Sequence, residues 1–368
     1  MQKVVISGGL GLLGQRVLRH ILSSGCGRVR VMVVDTARFA QTFNTDGLTP
    51  TSGGGGGDGL FGELPNVSVV SGDLGSTCVA ASIKSFAAAD ENDCCGSDDV
   101  VRQAVTAVPQ PPPPSPPSLS VFHLASVMSG QGEVDYDECV RVNVDGTKSL
   151  LDTCRQIGGR PRFVFASSIA AFGGGAQVSD ETKLLPQTTY GMTKACAELL
   201  VNDCTRKGFV DGRVARLPTV VVRPGPPNPA ATGCFSSVPK AVLHGQHFVS
   251  PVSADLRHPC VGLSSAVHGL IRMHDAPEAV FGDRDRAITL PSASLTLRDL
   301  AESASRFARD LGISPGTISF EPDGATEAVV MAMPAAVASS TKALDLRLHP
   351  EAGARELVEE YVKGGWLK

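Results

Sequence analysis

A phenol and an amine four residues apart stand in the stretch Tyr190-Gly191-Met192-Thr193-Lys194. On a helix, residues i and i+4 share a face. An ammonium beside a phenol favours the phenolate and lowers its pKa from about 10 toward neutrality. Such a group can take the proton of an alcohol. The same spacing also arises by chance on helix surfaces, so the reading rests on the surrounding chain. Thr188 or Thr189 is placed to cap the helix, and Leu199, Leu200 and Val201 extend it.

The elements that would position the pair can be read in order. Val4-Val5-Ile6 is an apolar run suited to a buried parallel strand. Ser7-Gly8-Gly9-Leu10-Gly11-Leu12-Leu13-Gly14 follows it, and Val17, Leu18, Ile21 and Leu22 then repeat at helical spacing. Strand, glycine turn and helix in that order suit a dinucleotide. Gly8 can turn tightly, Gly11 admits a pyrophosphate, Gly14 lets helix meet strand, and the helix start offers its N–H groups to phosphate. The second strand, 29–34, ends at Asp35, where an acid would bind the adenosine ribose and repel a 2′-phosphate, which favours NAD over NADP. Arg38 nearby reads as a solvated surface cation.

Residues 67–70 form a third strand leading to Asp73-Leu74, whose acidic end would face the adenine. A fourth, 121–125, carries His123, which reads as a satisfied core residue, and ends in the small Ala125 and Ser126. Residues 136–157 read as one helix, with Asn143 inside it either ordering a water, propping the site or lying on the surface. A fifth strand, 162–166, runs into Ser167-Ser168, at the strand end where ligands of open α/β sheets bind. No GxSxG elbow surrounds these serines, which argues against a hydrolase. A sixth strand, 214–222, leads into Arg223-Pro224-Gly225-Pro226-Pro227-Asn228-Pro229.

Taken together, Ser7-Gly8-x-x-Gly11-x-x-Gly14, Asp35, Asp73-Leu74, His123-Leu124-Ala125, Asn143, Ser167-Ser168 and Tyr190-x-x-x-Lys194 resemble the extended short-chain dehydrogenase/reductases, the NAD-dependent epimerase/dehydratase family. The resemblance covers nearly the whole chain apart from two insertions. It implies a doubly wound Rossmann-type α/β sheet with a smaller, interleaved C-terminal substrate lobe: residues 1–225 for the NAD-binding part and 226–368 for the lobe. It implies catalysis by Ser168, Tyr190 and Lys194, with Ser168 preferred over Ser167 because it precedes Phe172 by four. It implies NAD held by Gly8, Gly11, Leu12, Leu13, Gly14, Asp35, Asp73, Leu74, Leu124, Ala125, Asn143, Tyr190, Lys194 and Pro218.

Arg216-Leu217-Pro218-Thr219-Val220-Val221-Val222-Arg223-Pro224-Gly225 and Ser167-Ser168-Ile169-Ala170-Ala171-Phe172-Gly173 resemble more closely a branch acting on small, D-erythronate-like sugar acids. The reaction so implied is oxidation of a C2 hydroxyl to a 2-oxo acid. Sugar-nucleotide epimerases usually carry an aromatic residue and Asn where Pro218 and Thr219 stand, and Pro226 occupies a place where this branch leads one to expect Lys. An arginine fork suits a substrate carboxylate, with Arg223 and Arg257 as candidates, while Ser126, Ser168 and Asn228 would bind hydroxyls. The rival readings are an NAD-dependent nucleotide-sugar epimerase or dehydratase, and a non-enzymatic NAD-sensing scaffold.

Composition narrows the partners. The chain has 368 residues, 42% of them hydrophobic, and a formal charge of −4, which makes no electrostatic case for nucleic acid or an anionic membrane. No run approaches the ~18 apolar residues of a membrane span, and no signal-peptide pattern opens the chain. The ten cysteines show no zinc spacing and read as reduced thiols of a cytoplasmic protein, Cys94-Cys95 included. A metal site is not expected. Low-complexity insertions near 41–65 and 87–118 interrupt the pattern: 53–57 is a glycine run, and 109–117 is nearly all proline, able to dock an SH3-like partner or simply to extend a loop. Relatives often dimerise through the helices carrying Asn143 and Tyr190, so the resemblance implies a possible homodimer.

Overall fold

The computed structural model describes residues 1–24, 29–36, 66–89, 119–225, 230–282, 285–338 and 340–367. Arg38, Cys94-Cys95, the glycine and proline runs, Pro226 and Asn228 lie outside the described residues. Strand β1 (Gln2–Ser7) feeds the glycine turn and helix α1 (Leu12–Ser24), then come β2 (Val29–Asp35), β3 (Val67–Ser71), α2 (Thr77–Ala88) and β4 (Leu119–His123). Two short helices, α3 (Ser129–Val134) and α4 (Tyr136–Val140), lead through a π-turn (Arg141–Asp145) into α5 (Gly146–Ile157). Strand β5 (Arg162–Ser168), α6 (Thr189–Arg206) and β6 (Asp211–Leu217) complete the first half.

The second half is more broken. It contains β7 (Thr219–Val220), α7 (Cys234–Leu243), β8 (Phe248–Ser250), β9 (His258–Val261), α8 (Leu263–Asp275), β10 (Ala287–Thr289), β11 (Ala293–Leu295), α9 (Leu297–Asp310) and β12 (Ile318–Phe320). Helices α10 (Gly324–Met331), α11 (Thr341–Asp345) and α12 (Ala354–Lys363) close it.

Seven parallel strands form the main sheet in the order β3-β2-β1-β4-β5-β6-β10. Their apolar runs are buried on both faces: Val4, Ile6, Val31, Val33 and Val164 pack to one side, and Val5, Met32, Val34, Val121 and Phe163 to the other. Helices α1 and α8 cover the first face; α2, α5 and α6 cover the second. The chain steps outward from β1 to β3 and then returns to the opposite flank of β1 as β4. The resulting reversal opens a crevice at the carboxyl ends of β1 and β4, where open α/β sheets bind ligands.

Gly8 sits at that crevice with φ +71°, and a Cβ there would lie 2.6 Å from the Ala125 backbone nitrogen. Only glycine brings the two strand ends this close. A Cβ on Gly14 would come within 2.3 Å of the Gly8 carbonyl oxygen, so Gly14 packs the helix against the turn itself rather than against the strand.

Two expected elements are divided. The strand expected over 214–222 ends at Leu217 and resumes as β7 in a separate three-stranded sheet, β11-β9-β7. Pro218 separates them, because it has no N–H to continue the ladder. The single helix expected over 136–157 is interrupted by the π-turn at Arg141–Asp145, which carries Asn143. Such turns often sit at functional places in helices. Strand β10 comes from the C-terminal half, yet it pairs with β6 along the edge of the main sheet.

A buried arginine locks this edge. The Nη1 of Arg213 donates to the carbonyls of Met273, His274 and Ala276 at 2.5–2.8 Å, placing a cation at the C-terminus of α8. Its charge is balanced by Asp211, which also pairs with Arg286.

Replacing Gly14 by Ala is expected to cost about 1–3 kcal/mol by overpacking, seen as a lower urea midpoint with unchanged slope. Gly324→Ala is the control, because nothing lies within 4 Å of a Cβ there; it should leave the midpoint unchanged or slightly higher.

Candidate active site

The glycine turn ends in a set of free donors. The first i→i−4 bond of α1 runs from Gln15 N–H to Gly11 O, so the N–H groups of Leu12, Leu13 and Gly14 have no helical carbonyl beneath them. With no Cβ on Gly11, those groups can be approached closely by phosphate oxygens. Asp35, at the end of β2, accepts the Leu10 N–H at 2.9 Å and the Thr36 N–H at 2.8 Å. Burial pushes its carboxyl up against the pull of those two bonds. The acid thus holds the turn at the end of β2. Asp73 accepts from Gly75 N–H and is paired with Arg141, while Leu74 is buried beside it. Leu124 donates to Ser7 O at 3.0 Å, which aligns the start of the Ala125-Ser126 segment with the glycine turn.

Tyr190 and Lys194 occupy the first two turns of α6, which Thr188 caps by accepting the Gly191 N–H at 3.0 Å. The Lys194 side chain is 3% exposed. Its ammonium donates to Ala166 O at 2.9 Å and lies 4.9 Å from the Phe165 ring centre and 5.6 Å from that of Tyr190. Burial lowers its pKa to about 8. Burial also raises the Tyr190 phenol to about 12, opposed by hydrogen bonding with the hydroxyls of Ser168 and Ser126. The expected depression of the phenol pKa by Lys194 is therefore absent: the ammonium stands over the ring, and desolvation dominates. Ser168 itself ends β5, and its hydroxyl accepts the Ala170 N–H at 3.2 Å.

Several braces hold these groups. Asn143 is buried; its Oδ1 accepts the Val127 N–H at 2.8 Å, and its Nδ2 donates to Val127 O and to the Thr193 hydroxyl at 3.1 and 3.0 Å. One amide thus ties the segment beside Ser126 to the helix carrying Tyr190. His123 is a core residue, its pKa pushed down to about 3 by burial. Thr147 gives its only proton to Asn143 O, so His123 Nε2 must donate to Thr147 and Nδ1 must accept from Ser7, at 2.7 and 2.6 Å.

Glu198, one turn beyond Lys194, was not singled out by sequence. It forms a buried ion pair with Arg216 of β6 at 2.8 Å and accepts from the Ser167 hydroxyl. The spacing Tyr190, Lys194, Glu198 was visible, but the Arg216 partner was hidden inside an apolar strand. Pro218 is buried where β6 gives way to β7. Arg223 follows β7 and Arg257 precedes β9; these strands run parallel, so the two arginines leave the small sheet from opposite ends. Arg257 is exposed and donates to Ser294 O at 3.1 Å, whereas no carboxylate among the described residues pairs with partly buried Arg223.

The family model described as NAD dependent epimerase/dehydratase family matches residues 117–279. The chain is 35% identical over 366 residues, 99% of each chain, to the D-erythronate dehydrogenase of Cupriavidus necator. The chain belongs to this family. A second D-erythronate dehydrogenase, from Haemophilus influenzae, is 34% identical over 246 residues, 66% of this chain and 77% of that one. Among solved structures, a nucleoside-diphosphate-sugar epimerase from Agrobacterium tumefaciens superposes with TM-score 0.75 at 27% identity, covering 100% of this chain and 96% of that chain. As an NAD-dependent member of the family, the protein uses NAD, and the open donors at α1 and the acid at Asp35 fit that cofactor. None of the described helices is long and apolar enough to cross a membrane.

Glu198→Gln is expected to destabilise the fold by about 3–5 kcal/mol, because Arg216 loses its buried counter-charge and keeps only the half-exposed Asp285 at 3.4 Å; combining it with Arg216→Met should recover much of the loss in urea titrations. Lys194→Met tests the opposite case. Since the folded pKa of about 8 lies below the ordinary 10.5, burying the ammonium costs stability below pH 8, and that cost fades as pH rises toward 10.5. The variant should gain about 3 kcal/mol at pH 7 and progressively less above pH 8.

Proposed function

We propose that the protein is a dehydrogenase that oxidises the C2 hydroxyl of a small, D-erythronate-like sugar acid to a 2-oxo acid. The observation that carries the reading is the cluster of Tyr190, Ser168 and Ser126 above buried Lys194, at the carboxyl end of β5. Support for the substrate class comes from the two relatives named D-erythronate dehydrogenase and from Arg223, which has no carboxylate partner among the described residues.

NAD, bound at the glycine turn and Asp35, supplies the hydride acceptor. Leu12, Leu13 and Gly14 would hold its phosphates with their N–H groups, and the backbone of Leu124 and Ala125 would lie along it. Ser168 orients the substrate hydroxyl by hydrogen bonding, with Ser126 as the second hydroxyl at the phenol. Tyr190, once it has released its own proton to solvent, takes the hydroxyl proton as phenolate while the carbon gives up its hydride, so the alcohol loses two electrons and two hydrogens and becomes a ketone. Lys194 remains a cation at neutral pH and stabilises the phenolate that must form before the proton is taken. Arg223 or Arg257 would receive the carboxylate in a forked contact, and Asn228 a further hydroxyl.

Incubation with NAD and a panel of four- to six-carbon sugar acids, beside UDP-sugars, decides between this reading and an epimerase. NADH formation with D-erythronate supports it; turnover of UDP-sugars alone overturns it. Tyr190→Phe should lower kcat by roughly 10²–10⁴-fold with NAD affinity preserved, and full turnover in that variant would exclude the mechanism. Because the phenol of the free protein ionises near 12, kcat/KM for oxidation should climb with pH across the neutral range. A flat profile would assign the base to another group.

A further inference from the structure

Every fully buried arginine of the sheet edge has its anion inside the protein: Arg213 and Arg286 share Asp211, and Arg216 pairs with Glu198. Arg223 does not. Its own N–H is tied to the Ser236 hydroxyl of α7 at 3.2 Å, and burial draws its guanidinium pKa down. One turn further along α7, Lys240 donates to Gly225 O at 2.5 Å, which places a second cation over the same loop. Burial, and then Arg223 itself, draw the Lys240 pKa down.

The two like charges therefore repel one another in a partly dehydrated place, and no carboxylate among the described residues acts on either. The loop that follows, Pro226-Pro227-Asn228-Pro229, adds no acid. Two adjacent cations of this kind raise the energy of the empty protein and are relieved by an anion that reaches both. A structural lysine that only braced Gly225 would not need an arginine without a counter-charge beside it.

Where the pair stands favours substrate as that anion. Just before α7, the Ala231 N–H donates to the Ser129 hydroxyl at 3.4 Å. Ser129 is three residues past Ser126, the hydroxyl at the Tyr190 phenol. The turn that opens α7, the helix bearing Lys240, is thus anchored to the segment that borders the proton acceptor. Arg257, leaving the small sheet at its other end, already donates to Ser294 O.

We propose that Arg223 and Lys240 together form the carboxylate subsite, with Lys240 a specificity-determining residue supplied by α7. The inference rests on the sugar-acid reading above and extends it to the residue that separates an acid from a neutral polyol. An ammonium and a guanidinium on one carboxylate give charge-assisted hydrogen bonds from two directions.

The test compares D-erythronate with its uncharged amide, D-erythronamide, as substrates for the full chain with NAD. Lys240→Gln should raise KM for the acid roughly 10–100-fold, leave kcat for the acid and KM for NAD nearly unchanged, and barely alter kcat/KM for the amide. Lys240→Arg, which keeps the charge, should recover most of the acid preference. Equal losses on acid and amide, with wild type active on the acid, would show that Lys240 only braces the loop and would overturn this inference alone. No NADH from the wild type with any sugar acid would reject the functional reading and this inference with it.

Discussion

The buried pair of Glu198 and Arg216 is the interaction on which the rest of the site depends. Arg216 alternates inward from β6, Glu198 projects from the third turn of α6, and the Ser167 hydroxyl reaches the same carboxylate from β5. Two strands and the helix carrying Tyr190 and Lys194 thus meet at one ionised contact from which water is excluded. A buried charge without its partner costs several kcal/mol, so sliding the helix relative to the strands is disfavoured more steeply than by apolar packing alone. Phe172 covers the guanidinium, its ring centre 4.9 Å away, and closes the contact on the side of the Ser168 turn. The pair stabilises position more than it stabilises the fold.

A second constraint acts at the opening of the crevice. The main sheet reverses direction between β1 and β4, and the backbone of Gly8 approaches that of Ala125 closely enough to exclude any side chain. Ser7, His123, Thr147 and Asn143 then run as one directed chain of hydrogen bonds beneath the crevice. Asn143, set off by the π-turn, links that chain to Val127 and Thr193. The cofactor end and the proton-transfer end of the site are therefore parts of one buried polar network, fully satisfied and correspondingly rigid.

Against this rigidity, Lys194 stands as a deliberate cost. Its ammonium has one carbonyl and two ring faces around it in place of water. Burial also leaves the phenol of Tyr190 reluctant to ionise. Burial disfavours the charged form of both groups, and such perturbation is common where function rather than stability selects the residue.

Much of this was legible in the chain itself. Apolar runs of four to seven residues marked most of the parallel strands, and the spacing of Gly8, Gly11 and Gly14 marked the turn, because these features are local: a strand or a turn depends on neighbours in sequence. The order of Asp35, Ser168, Tyr190 and Lys194 was equally visible. Tertiary structure alone decided the rest. Glu198 and Arg216 are 18 positions apart and look unrelated until α6 packs on β6. The break at Pro218 followed from one missing N–H, yet the destination of β7 depended on β9, about forty residues downstream. The direction of the Tyr190 shift was misjudged because spacing reveals proximity but not burial, and burial outweighs a neighbouring charge that faces the ring. Sequence determined which chemical groups the site contains; the packing of distant segments determined which of them are charged, paired or left waiting for a ligand, since desolvation is a property of the folded surroundings and not of any residue by itself.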